Sequence, residues 1–357
     1  MKKVILLLLG LTIHTLQAQT LGDQIEQIRQ THAIPQLTYA VITQDSILTL
    51  GTSGFHKSTD TQGNASLVDY FHLGSNSKAI TAFIAAKLVQ DGRITWNTTY
   101  FDLFPEAKKQ AKPAYYKATL ADFLSHRARV HAYTNGTERL ALPAFEGTKQ
   151  QQRAAFSQFV LTQDPIETKE PYFYSNAGYS IAAVMLEKVT NKSWEELVQE
   201  VLGEELHLNY VIGWPNRNLE NQPWGHALSE GELTPVPPTF DYNLSLIEPA
   251  GDLSMSLFSY IKYIQLNLAG LAGQNNVLAA ALYRDLFRTK YPYALGWVVT
   301  KKGKNVRYEH AGSDGTFFSY CLIDTANHKA YILLANSGTP QAQEGVAEAL
   351  KVLHQYL

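Results

Sequence analysis

The hydrophobic pattern of this chain is strand-like near both ends and helical between them. Apolar residues at helical spacing predict a helix over residues 21–32, and alternation then predicts two strands, 37–43 and 47–50, joined by a tight turn. Towards the carboxyl end, further strands and a last helix are predicted over 293–300, 306–309, 316–323, 329–335 and 341–356. This arrangement predicts one antiparallel sheet that is assembled from the two chain ends and flanked by terminal helices.

The segment between these strands has the period of helices. Helical patterns cover residues 120–124, 150–161, 176–189, 194–201, 258–271 and 277–287. Residues 203–255 contain six prolines and are predicted to be loops. The predicted fold is therefore α+β, with one domain over 19–357. Its α/β lobe is formed by about 19–70 and 290–357, and an all-helical lobe of about 75–289 is inserted between them. A cleft between two such lobes is the natural place for a site.

The most apolar predicted helix lies within residues 71–92, FHLGSNSKAITAFIAAKLVQDG. Its body leaves so little polar surface that we expect burial on nearly every side, and Gly92 supplies a stop. Ser75 and Lys78, three residues apart, lie on one helical face. A hydroxyl at the positive end of a helix, beside an amine in dry surroundings, has what a nucleophile and its proton acceptor require.

Serine followed three positions later by lysine is a common spacing, and the chain contains a second pair. Ser259 and Lys262 lie in FSYIKYIQLNLAG, whose apolar spacing predicts an ordinary amphipathic helix with the lysine on its solvent side. The spacing alone therefore does not identify a catalytic pair.

The amino terminus has the features of a secretory signal peptide over residues 1–18. Lys2 and Lys3 precede an apolar run too short to span a membrane, and Leu16-Gln17-Ala18 suits cleavage after Ala18. Cleavage removes two lysines and no acids, so the formal charge changes from −2 to −4, which gives no indication of nucleic acid or anionic membrane binding. Cys321 is the only cysteine, which excludes an internal disulfide. We expect a soluble periplasmic or secreted protein.

Three short motifs fit this layout and carry chemistry. They are Ser75-Asn76-Ser77-Lys78, Tyr174-Ser175-Asn176 and His310-Ala311-Gly312. A tyrosine phenol can take a proton from serine only where its phenolate is favoured, and a neighbouring Lys78 ammonium would favour it. Asn176 can hold a substrate amide through its side chain. The strand end near Ser313 can offer a backbone N–H to an oxyanion, with the N–H of Ser75 as second donor.

In this order and with their flanks, the motifs resemble the serine hydrolases of the β-lactamase and penicillin-binding protein family. The similar branch contains class C β-lactamases, D-Ala-D-Ala carboxypeptidases, D-aminopeptidases and related esterases. The matching blocks are FHLGSNSKAITAFIAAKLVQDGRI, LADFLSHRARVHAY, PYFYSNAGYSIAAVMLEKVTNKSWEELV, EPAGDLSMS, YALGW and EHAGSDGTFFSY. The resemblance implies Ser75 as acylated nucleophile, Lys78 and Tyr174 as proton-handling pair, Asn176 as substrate contact, and His310 with Gly312 as edge of the binding strand.

Several other residues imitate functional ones. Tyr133-Thr134-Asn135 repeats the Tyr-x-Asn pattern but is predicted to be a turn with no helix directly after it. Lys301-Lys302-Gly303 imitates the Lys-x-Gly form of the third motif, yet is predicted to lie in a hairpin turn. We interpret His126, His226, Trp224 and Glu248 as loop or packing residues. No histidine spacing indicates a metal site.

The chain departs from the family pattern at three places. The class C β-lactamases have lysine at the position of His310, and histidine is largely neutral at neutral pH, so efficient β-lactam turnover is disfavoured. Arg127-Ala128-Arg129 stands where Thr-Ser-Gly is usual, and the two arginines either rim the cleft or, as we favour, solvate a loop. Asp252 replaces a common second glycine with no evident effect.

The sequence thus predicts an exported, cofactor-free serine hydrolase with an acyl-enzyme intermediate, acting on amides or esters of small acyl compounds or D-amino-acid peptides. The expected partners are such substrates, including peptidoglycan fragments and β-lactams, with no nucleic acid and no stable membrane span. One alternative is a class C-type β-lactamase. Another is a non-catalytic sensor that binds β-lactams or peptidoglycan, although the presence of Ser75, Lys78 and Tyr174 argues against it.

Overall fold

The computed structural model describes residues 20–170 and 172–357. The predicted signal peptide, residues 1–18, lies outside the described residues. Within the described part of the chain, no helix combines the length and the hydropathy that crossing a membrane requires.

A six-stranded antiparallel sheet joins the two ends of the chain. Its strands are β1 Gln36–Ile42, β2 Ile47–Gly54, β8 Val298–Lys302, β9 Asn305–Ser313, β10 Phe318–Asp324 and β11 Lys329–Ala335. They follow the order β2-β1-β11-β10-β9-β8. The amino-terminal hairpin therefore pairs with the last strand, with Leu37 opposite Ala335 and Ile42 opposite Ala330. The α+β fold predicted from the hydrophobic pattern is confirmed.

Two strand predictions need correction. The strand predicted over 293–300 begins only at Val298, because the chain before it turns back and Tyr293 makes an isolated bridge to Val298. The strand predicted over 306–309 is longer and continues to Ser313, where it pairs with Phe318. The motif around His310 therefore lies inside β9 and not at its end.

Both faces of the sheet are buried under helices. On one face, α1 (Leu21–Thr31) and α13 (Pro340–Tyr356) contribute Ile25, Ile28, Val346 and Leu353 to a core shared with β1, β10 and β11. On the other face, α11 (Leu257–Leu271) packs against β1 and β11. The strands carry apolar residues on both sides for this reason, as in Gln36–Ile42, where every residue is buried.

The inserted segment, predicted to be all-helical, is mostly helical but also contains short strands. Besides α11, its α-helices are α2 Ser77–Gln90, α3 Tyr100–Leu103, α4 Leu120–Leu124, α5 Gly136–Leu140, α6 Lys149–Thr162, α7 Asn176–Thr190, α8 Trp194–Val198, α9 Pro215–Asn218, α10 Glu248–Gly251 and α12 Ala280–Phe287. Shorter 3₁₀ turns lie at Gly74–Asn76, Pro105–Lys109 and Pro113–Tyr115, and a π-helical turn follows α8 over Gln199–Glu205.

Residues 203–255 are not all loop. They contain β4 Tyr210–Ile212, β5 His226–Ser229, β6 Glu232–Pro235 and β7 Leu253–Ser256, and β7 pairs with β4 and with β3, Tyr70–His72. These strands have three or four residues each, so alternation cannot be recognised in the sequence.

Helix α2 is the centre of the inserted segment. Nearly all of its residues are buried, including the polar Ser77, Lys78 and Thr81. It begins directly after the 3₁₀ turn that contains Ser75, and Gly92, with φ of +68°, follows its end. An apolar helix of this kind is stable only inside the protein, which confirms its predicted burial.

A fully buried arginine joins four helices beside α2. Arg153 of α6 pairs with Glu187 of α7 at 2.7 Å, Glu195 of α8 at 3.0 Å and Glu248 of α10 at 3.4 Å. Glu187 and Glu248 are themselves buried. The cluster fixes the position of α10, which begins at Glu248.

We expect Arg153→Met to lower the free energy of unfolding by about 3–5 kcal/mol, because it leaves buried carboxyl groups without their cation. Urea unfolding followed by circular dichroism measures the loss. The control is Lys192→Met, which removes a half-exposed pair with Glu200 and should cost less than about 1 kcal/mol. Equal losses in the two variants would contradict a special role for the buried cluster.

Candidate active site

Ser75 lies on a 3₁₀ turn that side chains attach to the sheet. Asn76 donates from Nδ2 to Ser319 Oγ at 2.7 Å and accepts from the Tyr260 hydroxyl at 3.1 Å. Ser319 Oγ in turn donates to the carbonyl of Leu73 at 2.6 Å. All of these groups are buried except Ser75, which is half-buried and faces a cavity. The turn is therefore rigid, and Ser75 is its accessible side chain.

Lys78 is fully buried one turn further along, and its amine has three neighbours from three parts of the chain. Nζ lies 3.1 Å from Ser75 Oγ, 2.7 Å from Asn176 Oδ1 and 2.8 Å from the carbonyl oxygen of Ala250. Nζ also lies 4.7 Å from the ring centroid of Tyr174. None of these neighbours is a carboxylate.

Burial lowers the pKa of Lys78 well below its usual range, since an ammonium in this place loses its hydration without gaining an anion. The contacts suit the uncharged amine. The two N–H donors of a neutral amine match the oxygens of Asn176 and Ala250, and its lone pair would then be available to the Ser75 hydroxyl, whose Oγ lies 3.1 Å away.

Tyr174 lies beside the same pair. Burial raises its pKa above the usual value, and a side-chain hydrogen bond with Ser75 opposes that rise. The expectation was that a Lys78 ammonium would favour the Tyr174 phenolate, and burial opposes this, because it disfavours the charged form of both groups. This arrangement suits a lysine that accepts a proton and a tyrosine phenol that donates one.

The end of β9 passes directly alongside the Ser75 turn. A Cβ placed on Gly312 would lie 2.8 Å from the Ser75 backbone nitrogen, and one placed on Gly74 would overlap the backbone of Gly312 and Ser313. Gly74 also has a φ of +49°, which favours glycine. Only glycines permit this approach, and it brings the predicted oxyanion donors, the N–H groups of Ser75 and Ser313, to adjacent backbone segments.

His310 is buried in β9 and turned towards aromatic rings. Its Nδ1 donates to the carbonyl of Ala311 at 2.7 Å, so Nε2 accepts from the Tyr293 hydroxyl at 3.0 Å. Burial lowers the pKa of His310 to about 3. The side chain is therefore neutral and cannot supply the cation of the class C β-lactamases.

Asn176 begins α7 and positions the amine. Its Oδ1 accepts from Lys78, and its Nδ2 donates to the carbonyl of Tyr133 at 3.1 Å.

The interpretation of residues 133–135 as a turn without a following helix is corrected, because Asn135 is the N-cap of α5, which begins at the next residue. Thr134 also lines the cavity in front of Ser75. A short helix of five residues has too little periodicity to be recognised in the sequence.

The remaining candidates are structural. Ser259 Oγ accepts from the backbone of Asn209, and Lys262 donates to the carbonyl of Leu206, so this pair does not form a site. Lys301 lies in β8, close to the β8–β9 turn, and donates to the carbonyl of Thr289.

Arg127 pairs with Asp122 at 3.3 Å, and Arg129 is exposed. His226 is held between Ser58 and Asn336.

Ser75 opens into a cavity of about 290 Å³. Its lining includes Ser75, Thr134, Arg139, Asn176 and Ser313. A larger cavity of about 650 Å³ lies elsewhere, between the β1–β2 turn and the end of α11, and contains none of the motif residues. Convergent polar groups identify the smaller one as the site. In residues 20–170 and 172–357 no group of three histidine, cysteine or carboxylate side chains is arranged to hold a metal ion.

Known proteins resemble this chain along nearly its whole length. The model of the Beta-lactamase family matches residues 21–355. Penicillin-binding protein 4 of Amycolatopsis lactamdurans is 23% identical over 332 residues, which cover 88% of this chain and 84% of that protein.

Two solved structures share the fold. The class C beta lactamase from Rhodobacter sphaeroides superimposes with a TM-score of 0.73 and 18% identity, covering 94% of this chain and 98% of the other. The D-amino acid amidase from Ochrobactrum anthropi SV3 superimposes with a TM-score of 0.71 and 18% identity, covering 94% and 99%.

Sequence reasoning missed a charged network directly behind the site. His72 of β3 is fully buried, with Nε2 2.9 Å from Asp252 Oδ1 and Nδ1 3.4 Å from Asp314 Oδ2. Asp314 also accepts from the Trp214 indole and from the backbone of Phe317. Burial alone would lower the pKa of His72, but Asp314 and Asp252 together outweigh it and raise that pKa, with an opposing contribution from Arg217. Asp252, the unexplained departure from Pro-Ala-Gly-Gly, is thus a partner of His72.

His126 packs behind Tyr174. Its ring centroid lies 4.3 Å from that of Tyr174 and 4.4 Å from that of Tyr293. Nδ1 accepts from the Ser175 backbone, while Nε2 is buried without a hydrogen-bond partner among the described residues. These ring contacts agree with the interpretation of His126 as a packing residue.

We expect His72→Gln to destabilise the protein by about 3–5 kcal/mol, because two buried carboxylates lose their common partner. The pKa of His72 is raised in the folded state, so its contribution is complete below about pH 6.5 and is lost as the pH rises through the folded pKa. The variant should therefore lose more stability at pH 6 than at pH 9, measured by urea unfolding. His328→Asn, at an exposed turn position, serves as control. A loss independent of pH would contradict the charged network.

Proposed function

Because this chain belongs to the Beta-lactamase family, a family of serine hydrolases, we propose that it hydrolyses acyl compounds through an acyl-enzyme at Ser75. One observation carries the proposal: Ser75 Oγ lies 3.1 Å from a fully buried amine whose other two contacts are acceptors. That arrangement leaves the lone pair of Lys78 as the place to which the Ser75 proton can move.

In the first half-reaction Lys78 acts as general base. The Ser75 proton moves to Lys78 Nζ while Oγ forms a bond to the substrate carbonyl carbon, and the carbonyl oxygen becomes an oxyanion. The N–H groups of Ser75 and Ser313 stabilise that oxyanion where β9 meets the 3₁₀ turn. The bond to the leaving group then breaks, and the leaving group takes a proton from Tyr174, whose phenol is protonated at neutral pH because burial raises its pKa.

In the second half-reaction water replaces the leaving group. The proton that Lys78 took from Ser75 passes to the Tyr174 phenolate, and the pair then accepts a proton from the water as its oxygen bonds to the acyl carbon. The ester bond to Ser75 Oγ breaks, the pair gives that proton to Oγ, and the acid is released. Asn176 keeps the Lys78 amine in place through both steps, because its Oδ1 accepts from Nζ.

The substrates that fit are small amides and esters, including those of D-amino-acid peptides. The cavity in front of Ser75 has a volume of about 290 Å³, which admits a small acyl group. His310 is neutral and already engaged with Tyr293, so the cation that class C enzymes use at this position is absent, and we place amidase or esterase activity before β-lactamase activity.

We expect Ser75→Ala to abolish hydrolysis of a para-nitrophenyl ester and a D-Ala-D-Ala peptide, with a loss of at least about 10³-fold. Incubation with a fluorophosphonate or a fluorescent penicillin, followed by peptide mapping, should place the label on Ser75. Ser259→Ala is the matched control, because it removes the serine of the other Ser-x-x-Lys pair, and should keep activity. Full activity of Ser75→Ala would refute the mechanism, and fast penicillin turnover by the natural protein would make it a β-lactamase.

We expect Lys78→Arg to abolish labelling of Ser75, because arginine cannot lose its proton and so cannot act as a base. The pH dependence of kcat/KM for the natural enzyme should rise through an apparent pKa below the ordinary lysine value, since burial lowers the pKa of Lys78. Lys262→Arg is the matched control. Thermal melting shows whether Lys78→Arg is folded, and a folded variant that still acylates would contradict a base role.

A further inference from the structure

One arginine in the cavity contacts Tyr242 but has a buried nitrogen that no acceptor reaches among the described residues. Arg139 of α5 lines the same cavity as Ser75, Asn176 and Ser313. Its Nη1 is buried, and no hydrogen-bond partner for this atom lies among the residues that the structure describes. A buried guanidinium nitrogen without an acceptor is costly, so it indicates that a group from outside the chain completes the site.

Two acidic residues, Asp314 in the cavity lining and Glu138 beside Arg139 in the chain, are engaged with other groups. Asp314 lines the cavity, but its carboxylate accepts from Trp214, Thr316 and Phe317 and pairs with His72. Glu138, next to Arg139 in the chain, accepts from the backbone of Thr134 and Asn135 at the start of α5. The position of Arg139 is therefore not explained by an ion pair within the described chain.

Among the described residues, Arg139 is the only cationic side chain that lines this cavity. Lys78 is buried, its pKa is lowered, and its donors are used by Asn176 and Ala250. His310 is neutral, and Lys149 lies in a neighbouring cavity with its amine 2.5 Å from Glu248. Within the described part of the chain, an anion in this cavity therefore meets the guanidinium of Arg139.

The guanidinium is also held in a defined place. Its central carbon lies 5.7 Å from the ring centroid of Tyr242, and the face of an aromatic ring attracts a cation. Tyr242 stacks on Trp214 with the ring planes 9° apart and donates to the carbonyl of Asp314 at 3.2 Å. A supported arginine loses little freedom on binding and presents its planar donors to a carboxylate.

We propose that Arg139 binds a carboxylate of the substrate, so that the enzyme prefers acyl compounds with a free acid group. Arg139 is then a specificity-determining residue that contacts the substrate without taking part in bond breaking. This inference rests on the proposed hydrolysis at Ser75 and names the substrate class of that site.

The test compares matched esters that differ only in the acid group. On the acyl side these are para-nitrophenyl hydrogen glutarate and its methyl ester. On the leaving-group side they are para-carboxyphenyl butyrate and its methyl ester. We expect the natural enzyme to prefer the acid in at least one pair. Arg139→Gln should lower kcat/KM for that acid by roughly 10- to 100-fold, mostly by raising KM, and leave its methyl ester within about two-fold.

Arg127→Gln is the matched control, since Arg127 pairs with Asp122 and does not line the cavity. Fluorophosphonate labelling of Ser75 in each variant shows that the site is folded. Arg139→Lys should recover part of the preference, because it restores the charge without the planar donors. If Arg139→Gln alters acids and methyl esters equally, or alters neither, the inference is wrong although hydrolysis at Ser75 stands. If Ser75→Ala hydrolyses all four esters as well as the natural enzyme, the proposed function itself fails.

Discussion

The burial of one amine is the constraint on which this site depends. The amine of Lys78 lies in a dry position between the Ser75 turn, the start of α7 and helix α10. Each of these three segments supplies one oxygen atom that contacts the amine. Because none of these neighbours carries a negative charge, burial disfavours the ammonium and lowers the pKa of Lys78. Burial also raises the pKa of Tyr174, so the uncharged forms of both groups are favoured side by side.

Much of the remaining structure serves to keep those neighbours in place. The carbonyl of Ala250 lies in α10, whose first residue, Glu248, is held by the buried Arg153. The Ser75 turn is attached to β10 through Asn76 and Ser319. Strand β9 reaches the turn because the sheet is assembled from both chain ends, and two glycines allow the backbones to touch. Long-range contacts, not local preference, thus determine the geometry of the site.

Periodicity in the sequence was sufficient for the long elements. Helices α1, α6, α7, α11 and α13 and the six-stranded sheet could be predicted because each has enough residues for its period to appear. The short strands of residues 203–255 and the five-residue α5 could not. At the site, motif order brought together Ser75, Lys78, Tyr174 and Asn176, whereas the Ala250 carbonyl, the His72 network and Arg139 have no local signal. Their roles come from tertiary contacts between segments far apart in the chain.

The second Ser-x-x-Lys pair shows why spacing is insufficient. Ser259 and Lys262 have the same separation on a regular helix, yet Ser259 is buried and accepts a backbone N–H while Lys262 extends to the carbonyl of Leu206. Lys262 is exposed, whereas Lys78 is fully buried with its amine 3.1 Å from Ser75 Oγ. The chemical difference between the two pairs lies in the surroundings of the amine. Helix α11, which contains Ser259 and Lys262, buries one face and leaves Lys262 in solvent. Helix α2, which contains Lys78, is buried on nearly every face.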